Sequence, residues 1–246
     1  MYNDLNGKVG VITGGNGRLA QTFHRSLGSR NRVYMVDIQS GPRDAAQADF
    51  YRQLDITDEA AVRSTFEEIV QKEGKIDFLV NNAALQIPNS FEKATIEEFR
   101  RSIDTNLTGA YVCIRAAAAA MMRQGSGNIV NIASMYGVVS ADPNLYGDSG
   151  LNSPDSYAAS KGGIIQLTRY LAANLAKHSI RVNAISPGGV INGQPQEFLD
   201  RYKEKCPMGR LADREELMGP LAFLLSEASS YVTGHNLIVD GGFTVI

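Results

Sequence analysis

Seven short runs punctuate this 246-residue chain, and most are apolar at consecutive positions rather than at alternate ones. They fall at 8–13, 32–37, 51–54, 77–81, 128–133, 180–185 and 236–239. A strand with one wet face alternates apolar and polar side chains, whereas a continuous apolar run is covered on both faces. Parallel sheets with helices on each side bury strands in that way. The intervening segments carry the helical period such a cover needs. Val62, Phe66, Ile69 and Val70 make one stripe between Asp58 and Lys72, and Gly74 follows as a stop. Thr95 and Glu98 are spaced as a capping box opening the next helix. Further helices, rich in Ala, are expected at about 105–122 and 158–178. Strand–helix alternation from end to end predicts an α/β fold. The expected form is one domain over 1–246 with a doubly wound, seven-stranded parallel sheet and helices on both faces.

Composition narrows the partners. Lys and Arg number 24 and Asp and Glu 26, well mixed, for a net charge of -2. No basic run suggests nucleic acid or an anionic membrane. The longest apolar stretch, Ala116 to Met122, falls far short of the roughly 20 residues a bilayer span requires. The first residues, Met1 to Asn6, are polar and lack a signal-peptide core, so a cytoplasmic protein is expected. Cys113 and Cys206 are far apart and read as reduced thiols. His24, His178 and His235 share no spacing, and no metal site is expected.

The first run leads directly into Thr13-Gly-Gly-Asn-Gly-Arg-Leu-Ala20, and a helix follows. Gly15, Gly17 and Ala20 fit G-x-G-x-x-A in the strand–turn–helix setting of a Rossmann fold. Glycines let the backbone approach a pyrophosphate, and the helix N-terminus supplies N–H groups and positive potential. Asp37 closes the next strand, where a carboxylate accepts ribose hydroxyls and repels a 2′-phosphate. Arg18 adds a cation that would suit NADP, yet Asp37 stands at the strand end itself, so the expectation is NAD.

Tyr157 and Lys161 are four residues apart in a helical segment, so both leave one face. An ammonium beside a phenol lowers its pKa from about 10 toward a range useful for proton transfer. A solvated helix face is the bland alternative, and the surrounding motifs weigh against it.

With these landmarks the chain resembles the short-chain dehydrogenase/reductase family, in its single-domain branch, over essentially its whole length. The residues that carry the resemblance are Thr13-Gly14, Asp37, Asp55, Asn81-Asn82-Ala83-Ala84, Asn106 within Asp-Thr-Asn-Leu-Thr-Gly, Ser134, Tyr157, Lys161 and Pro187-Gly188. The resemblance implies that Tyr157 is the general acid and base and that Lys161 lowers its pKa and bonds the nicotinamide ribose. It further implies that Ser134 polarises the substrate oxygen and that Asn106 holds a water leading from Lys161 to solvent. Gly14, Asn16, Gly17, Arg18 and Leu19 are then cofactor-binding residues at the turn. Asp55 and Ile56 are expected at the adenine, Asn82, Ala83 and Ala84 on the adenosine ribose side, and Pro187, Gly188 and Val190 along the nicotinamide. The activity implied is an NAD(H)-dependent interconversion of an alcohol and a carbonyl, by a homotetramer or homodimer paired through the Ala-rich helices.

The chain departs from the family pattern in four places. Arg18 and Ala20 replace two glycines of the turn, Ala84 replaces a Gly, and Asn192 replaces a Thr after the Pro. Ser134 and Tyr157 stand 23 positions apart, which is longer than usual and defines an inserted loop at 140–156. Its Asp142, Asn144, Tyr146, Asp148, Ser149, Asn152, Ser153 and Asp155 are expected over the substrate, suiting a polyol, sugar or sugar nucleotide. A decorative surface loop is the alternative. Residues at about 190–210 read as a substrate lid with Phe198, Leu199 and Tyr202. The competing function is a dinucleotide-binding regulator or scaffold without catalysis. The intact Asn106, Ser134, Tyr157 and Lys161 set argues against it. A larger epimerase-type relative would need more chain after Pro187.

Overall fold

The computed structural model describes residues 3–147 and 152–246. Seven strands form one sheet: β1 (Val9–Thr13), β2 (Arg32–Asp37), β3 (Tyr51–Gln53), β4 (Phe78–Asn81), β5 (Gly127–Ile132), β6 (Ile180–Pro187) and β7 (Asn236–Val239). The spatial order is β3-β2-β1-β4-β5-β6-β7, and every pairing is parallel. The order reverses between β1 and β4, and a crevice opens there beyond the carboxyl ends of the strands. All residues of β1 and β4 are buried, which is why these runs tolerate no polar alternation.

Successive strand residues point to opposite faces and enter different cores. Val11, Tyr34, Leu79, Ile129 and Val182 pack against Val62 and Phe66 of α2 (Glu59–Glu73) and against Cys113 and Ile114 of α4 (Ala110–Gln124). Ile12, Met35, Val80, Val130 and Ile185 pack against Phe23 of α1 (Arg18–Leu27) and Leu221 of α7 (Met218–Leu225). Each such side chain contributes about 1.5–3 kcal/mol when fully buried. Together they fix the strand ends from which the site is built.

Two helix expectations change. The capping box forms as Thr95 Oγ1 accepts from Glu98 N and Glu98 accepts from Thr95 N. The helix it opens, α3 (Ile96–Ile103), does not stop before a new start at 105. It runs through a π turn, Asp104–Gly109, straight into α4. That turn brings Gly109 against Ile56, where a Cβ would stand 2.8 Å from Ile56 Cγ1. Helix α5 (Asp155–Leu175) begins three residues earlier than expected, with Pro154 as N-cap.

The described start of the expected inserted loop packs on the segment after β6. Leu145 and Tyr146 join Met135, Phe198, Tyr202, Cys206 and Leu211 in one apolar cluster beside α6 (Gln196–Lys205). Tyr146 stacks on Phe198 with ring centroids 5.6 Å apart. Asp142 caps a short turn through Asn144 N at 2.8 Å and pairs with Lys205, while the Asn144 carbonyl accepts from Arg201. Asp142 and the Asn144 carbonyl therefore hold the loop to α6. Asp148 and Ser149 lie outside the described residues. Apolar side chains remain exposed on the outer helices, including Tyr111 and Met122 of α4 and Tyr170 of α5. Among the described residues no helix is long and apolar enough to cross a membrane.

Candidate active site

The crevice is built first by a lock between β1 and β4. Thr13 Oγ1 accepts the N–H groups of Asn82 and Ala83, each at 3.0 Å. Asn82 Nδ2 returns bonds to the carbonyls of Thr13 at 3.0 Å and Gly14 at 3.3 Å. Gly14 has φ +67°, and a Cβ there would stand 2.7 Å from Ala83 Cα. Only glycine satisfies both conditions. Helix α1 then starts at Arg18 with Gly17 as N-cap, with no side-chain cap and no acid in the first turn. Its first N–H groups have no helical partner, and positive potential collects there. Gly14, Gly17, Arg18 and Leu19 line the resulting cleft of about 1120 Å³. This uncapped N-terminus behind a glycine cradle fits a pyrophosphate.

Asn16 borders the same cleft. Its buried side chain donates to Gly41 O at 2.9 Å and Tyr51 Oη at 3.1 Å, and its Oδ1 accepts from Arg43 N at 2.8 Å. It thereby braces the loop after β2. Asp37 stands at the cleft wall, where Oδ2 accepts from Asn16 N at 2.9 Å and Oδ1 from Gln39 N at 3.0 Å. Each oxygen keeps a second lone pair for a ribose hydroxyl. Asp55 Oδ1 is held by Thr57 N at 2.9 Å and Thr57 Oγ1 at 2.7 Å, and it lines the cleft with Ile56. Asn82, Ala83 and Ala84 form the wall opposite, and Pro187, Gly188 and Val190 follow β6 along the remaining side.

Tyr157 and Lys161 open into the same cleft from α5, beside Ser134 at the end of β5. Ser134 Oγ caps the turn Met135–Gly137 by accepting Tyr136 N at 3.1 Å, and its hydroxyl bonds the Tyr157 phenol. The turn lies so close to α5 that a Cβ on Gly137 would stand 2.7 Å from the Lys161 carbonyl carbon. Lys161 is buried, and its ammonium donates to the Ile132 carbonyl at 2.6 Å. Nζ also lies 5.5 Å from the Tyr157 ring centroid. Burial alone lowers Lys161 from 10.5 to about 8.

The expected fall in the Tyr157 pKa is not what the structure gives. Burial raises it above 10.0, the Ser134 bond lowers it, and Tyr146 adds a smaller upward push. The reason is geometric: Lys161 directs its proton to Ile132 O and presents its charge to the ring. The protein framework thus keeps the phenol protonated at neutral pH.

Asn106 stands behind the cleft wall, in the π turn, and is buried. Its Oδ1 accepts Leu85 N at 2.6 Å, and Nδ2 donates to Leu85 O and Ser160 Oγ, each at 3.0 Å. It ties the segment after β4 to α5. A water on this side chain has only the second lone pair of Oδ1 to use. Arg18, the cation weighed against Asp37, reaches across the cleft mouth to Asn192 instead.

Sequence reasoning passed over Ile132, Gln86, Arg101 and Arg214, which also border the cleft. The Ile132 contact uses a backbone carbonyl, and the other three sit in no motif.

The fold and the site define an α/β enzyme built to work with a nicotinamide dinucleotide. A family model described as "Enoyl-(Acyl carrier protein) reductase" matches residues 32–244. The chain resembles a short chain dehydrogenase from Leptospira borgpetersenii solved with bound NAD+: TM-score 0.92, 36% identity, 98% of this chain and 94% of that one. It resembles an NAD+-bound xylitol dehydrogenase with TM-score 0.88 and 32% identity, covering 98% of this chain and 100% of that one. It is 32% identical to cis-4-hydroxycyclohexanecarboxylate dehydrogenase of Sinomonas cyclohexanicum over 97% of each chain. The chain belongs to the short-chain dehydrogenase/reductase family. It is an oxidoreductase that uses NAD to interconvert an alcohol and a carbonyl, and the reading of an inactive scaffold is set aside.

Proposed function

We propose that Tyr157, Ser134 and Lys161 carry out this interconversion on a polyol or sugar-like alcohol. The observation that carries the reading is the convergence of a buried ammonium, a phenol and a serine hydroxyl on one wall of the dinucleotide cleft. The dinucleotide supplies hydride acceptance or donation at its nicotinamide ring. In reduction Tyr157 gives its proton to the substrate oxygen, and Ser134 donates a hydrogen bond to that oxygen as charge gathers there. In oxidation the Tyr157 phenolate takes the hydroxyl proton and becomes the phenol, and the Lys161 charge beside the ring favours the phenolate from which this step starts. Asn106 is a positioning residue that fixes Leu85 and α5 relative to one another. Gly14, Gly17, Arg18 and Leu19 hold the pyrophosphate, Asp37 the ribose, Asp55 and Ile56 the adenine. Asn82, Ala83 and Ala84 back the ribose, and Pro187, Gly188 and Val190 face the nicotinamide. Asn16 serves through its backbone, by way of Asp37.

A hydroxyl-rich substrate is favoured by the polar groups near Tyr157. Tyr136 and Tyr146 join hydroxyls at 2.7 Å, and Gln86 borders the cleft while donating to Asn152 O. The xylitol dehydrogenase likeness supports the same class. Mixing the protein with NAD and a panel of linear polyols, aldohexoses, cyclic hydroxy acids and simple alkanols, while following reduced nicotinamide absorbance, tests this. The expected result is turnover with the polyols or aldohexoses. Turnover confined to alkanols would refute the substrate class.

The domain is a single unit over 1–246 with a loop at 140–156 and a lid at about 190–210. The protein is cytoplasmic, with Cys113 and Cys206 reduced and buried. It assembles as a homotetramer or homodimer through α4 and α5, where exposed Tyr111, Met122 and Tyr170 supply apolar surface. Sedimentation showing only monomer at micromolar concentration would refute the assembly.

A further inference from the structure

Arg18 and Asn192 are both departures from the family pattern, and they touch each other. They lie 174 positions apart, yet the Arg18 guanidinium donates to the Asn192 backbone carbonyl at 3.2 Å and to its side-chain carbonyl. Arg18 is the first residue of α1, at the end where the N–H groups lack partners. Asn192 is at the tip of a strap that runs from Gly188 to α6.

The strap's backbone is held from the side of Ala212 and Tyr202. Ile191 N donates to Ala212 O and Ala212 N to Gly189 O, each at 2.9 Å, and Gly189 N donates to Tyr202 Oη at 2.7 Å. Its tip is folded on itself: Asn192 N donates to Gln194 Oε1, and Gln194 Nε2 to Val190 O, each at 2.7 Å. Arg214 Nε donates to Ile191 O at 3.4 Å from the anchored side. From the α1 side, Arg18 bonds the tip. Arg18, Asn192, Gln194 and Arg214 all line the cleft.

The charges are uncommitted. Among the described residues neither Arg18 nor Arg214 has an ion-pair partner. A guanidinium bonded to neutral amide oxygens holds them less strongly than it would hold an anion, and it can grip two phosphate oxygens at once. We propose that Arg18 and Asn192 form a latch that holds the strap across the dinucleotide cleft, and that Arg18 passes from Asn192 to the pyrophosphate when the dinucleotide enters. This rests on the assignment of the cleft to NAD. The arginine that replaces a family glycine thus supplies the anion contact the glycine lacks. Asn192 gives the same side chain a partner while the site awaits ligand, so opening the latch sets the rate of entry.

The test reads NADH binding by nicotinamide fluorescence, in equilibrium and stopped-flow modes, with protease cleavage of the strap in the free protein. Both residues are exposed, and circular dichroism controls for folding. Arg18→Ala is expected to raise the NADH Kd about tenfold and to flatten its salt dependence, with Arg18→Lys recovering only part. Asn192→Ala is expected to speed NADH association several-fold and to increase cleavage within 188–195 before nucleotide is added. Arg18→Ala with an unchanged Kd and salt dependence would overturn the transfer to pyrophosphate. Asn192→Ala with unchanged association and cleavage would overturn the latch. A wild-type protein that binds no NADH would overturn the cofactor assignment itself.

Discussion

The ammonium of Lys161 donates to the carbonyl oxygen of Ile132 at 2.6 Å, and both residues are buried. Helix α5 thereby aims a cation at the end of β5, and among the described residues no carboxylate shares it. A lone buried charge held by one carbonyl costs stability, and its persistence beside Tyr157 ties it to function.

Replacing Lys161 by Met should therefore stabilise the fold while it removes activity. A fall from 10.5 to about 8 corresponds to about 3 kcal/mol of penalty at neutral pH, less about 1 kcal/mol for the lost bond to Ile132. Below about 8 both folded and unfolded chains hold the proton, and the penalty is complete. As pH rises from about 8 to 10.5 the folded chain releases it first, so wild-type stability climbs. Urea midpoints for Lys161→Met should start higher at neutral pH and lack that climb.

The raised Tyr157 pKa sets opposite pH trends for the two directions. Alcohol oxidation needs the phenolate, so its kcat/KM should rise on the alkaline side. Carbonyl reduction needs the phenol, so its kcat/KM should fall there. Measuring both across pH checks the assignment, and two profiles of the same slope would contradict it.

Gly137→Ala tests the seat of Ser134. The new methyl would stand 2.7 Å from the Lys161 carbonyl carbon and 2.8 Å from its oxygen, both backbone atoms. The turn must shift, costing about 1–3 kcal/mol and moving the Ser134 hydroxyl from Tyr157. A displacement near 1 Å lowers kcat on the order of 10²-fold. Thermal melting and steady-state kinetics separate the two effects.

Asp37→Ala should raise the NADH Kd about tenfold through the lost hydrogen bonds to ribose and narrow the preference over NADPH. It also removes the acceptor of Asn16 N and Gln39 N, so a stability loss of about 1–2 kcal/mol should accompany it. Much tighter binding of NADPH than NADH by the wild type would contradict the role of Asp37.

Much of the fold was legible because the central strands are covered on both faces, and covered strands write themselves as largely apolar runs. The capping box at Thr95 and the stop at Gly74 were equally local signals. The join of α3 to α4 was not, because a π turn depends on how Gly109 meets Ile56, a contact between distant segments. The positions of Tyr157, Lys161 and Ser134 followed from motif order. The direction of the Lys161 bond did not, because its acceptor is a backbone carbonyl that any residue at 132 would offer. The partners of Asn16 at Gly41, Arg43 and Tyr51 were not legible either, because they lie far along the chain, in the loop after β2 and at the start of β3.

The central claim is that Tyr157 handles the proton while the dinucleotide carries the hydride. Comparing wild type with Tyr157→Phe on one accepted alcohol, with NADH affinity measured separately, tests it most directly. The account predicts kcat/KM lower on the order of 10³-fold with NADH affinity little changed. A phenylalanine variant that turns over at the wild-type rate would contradict it.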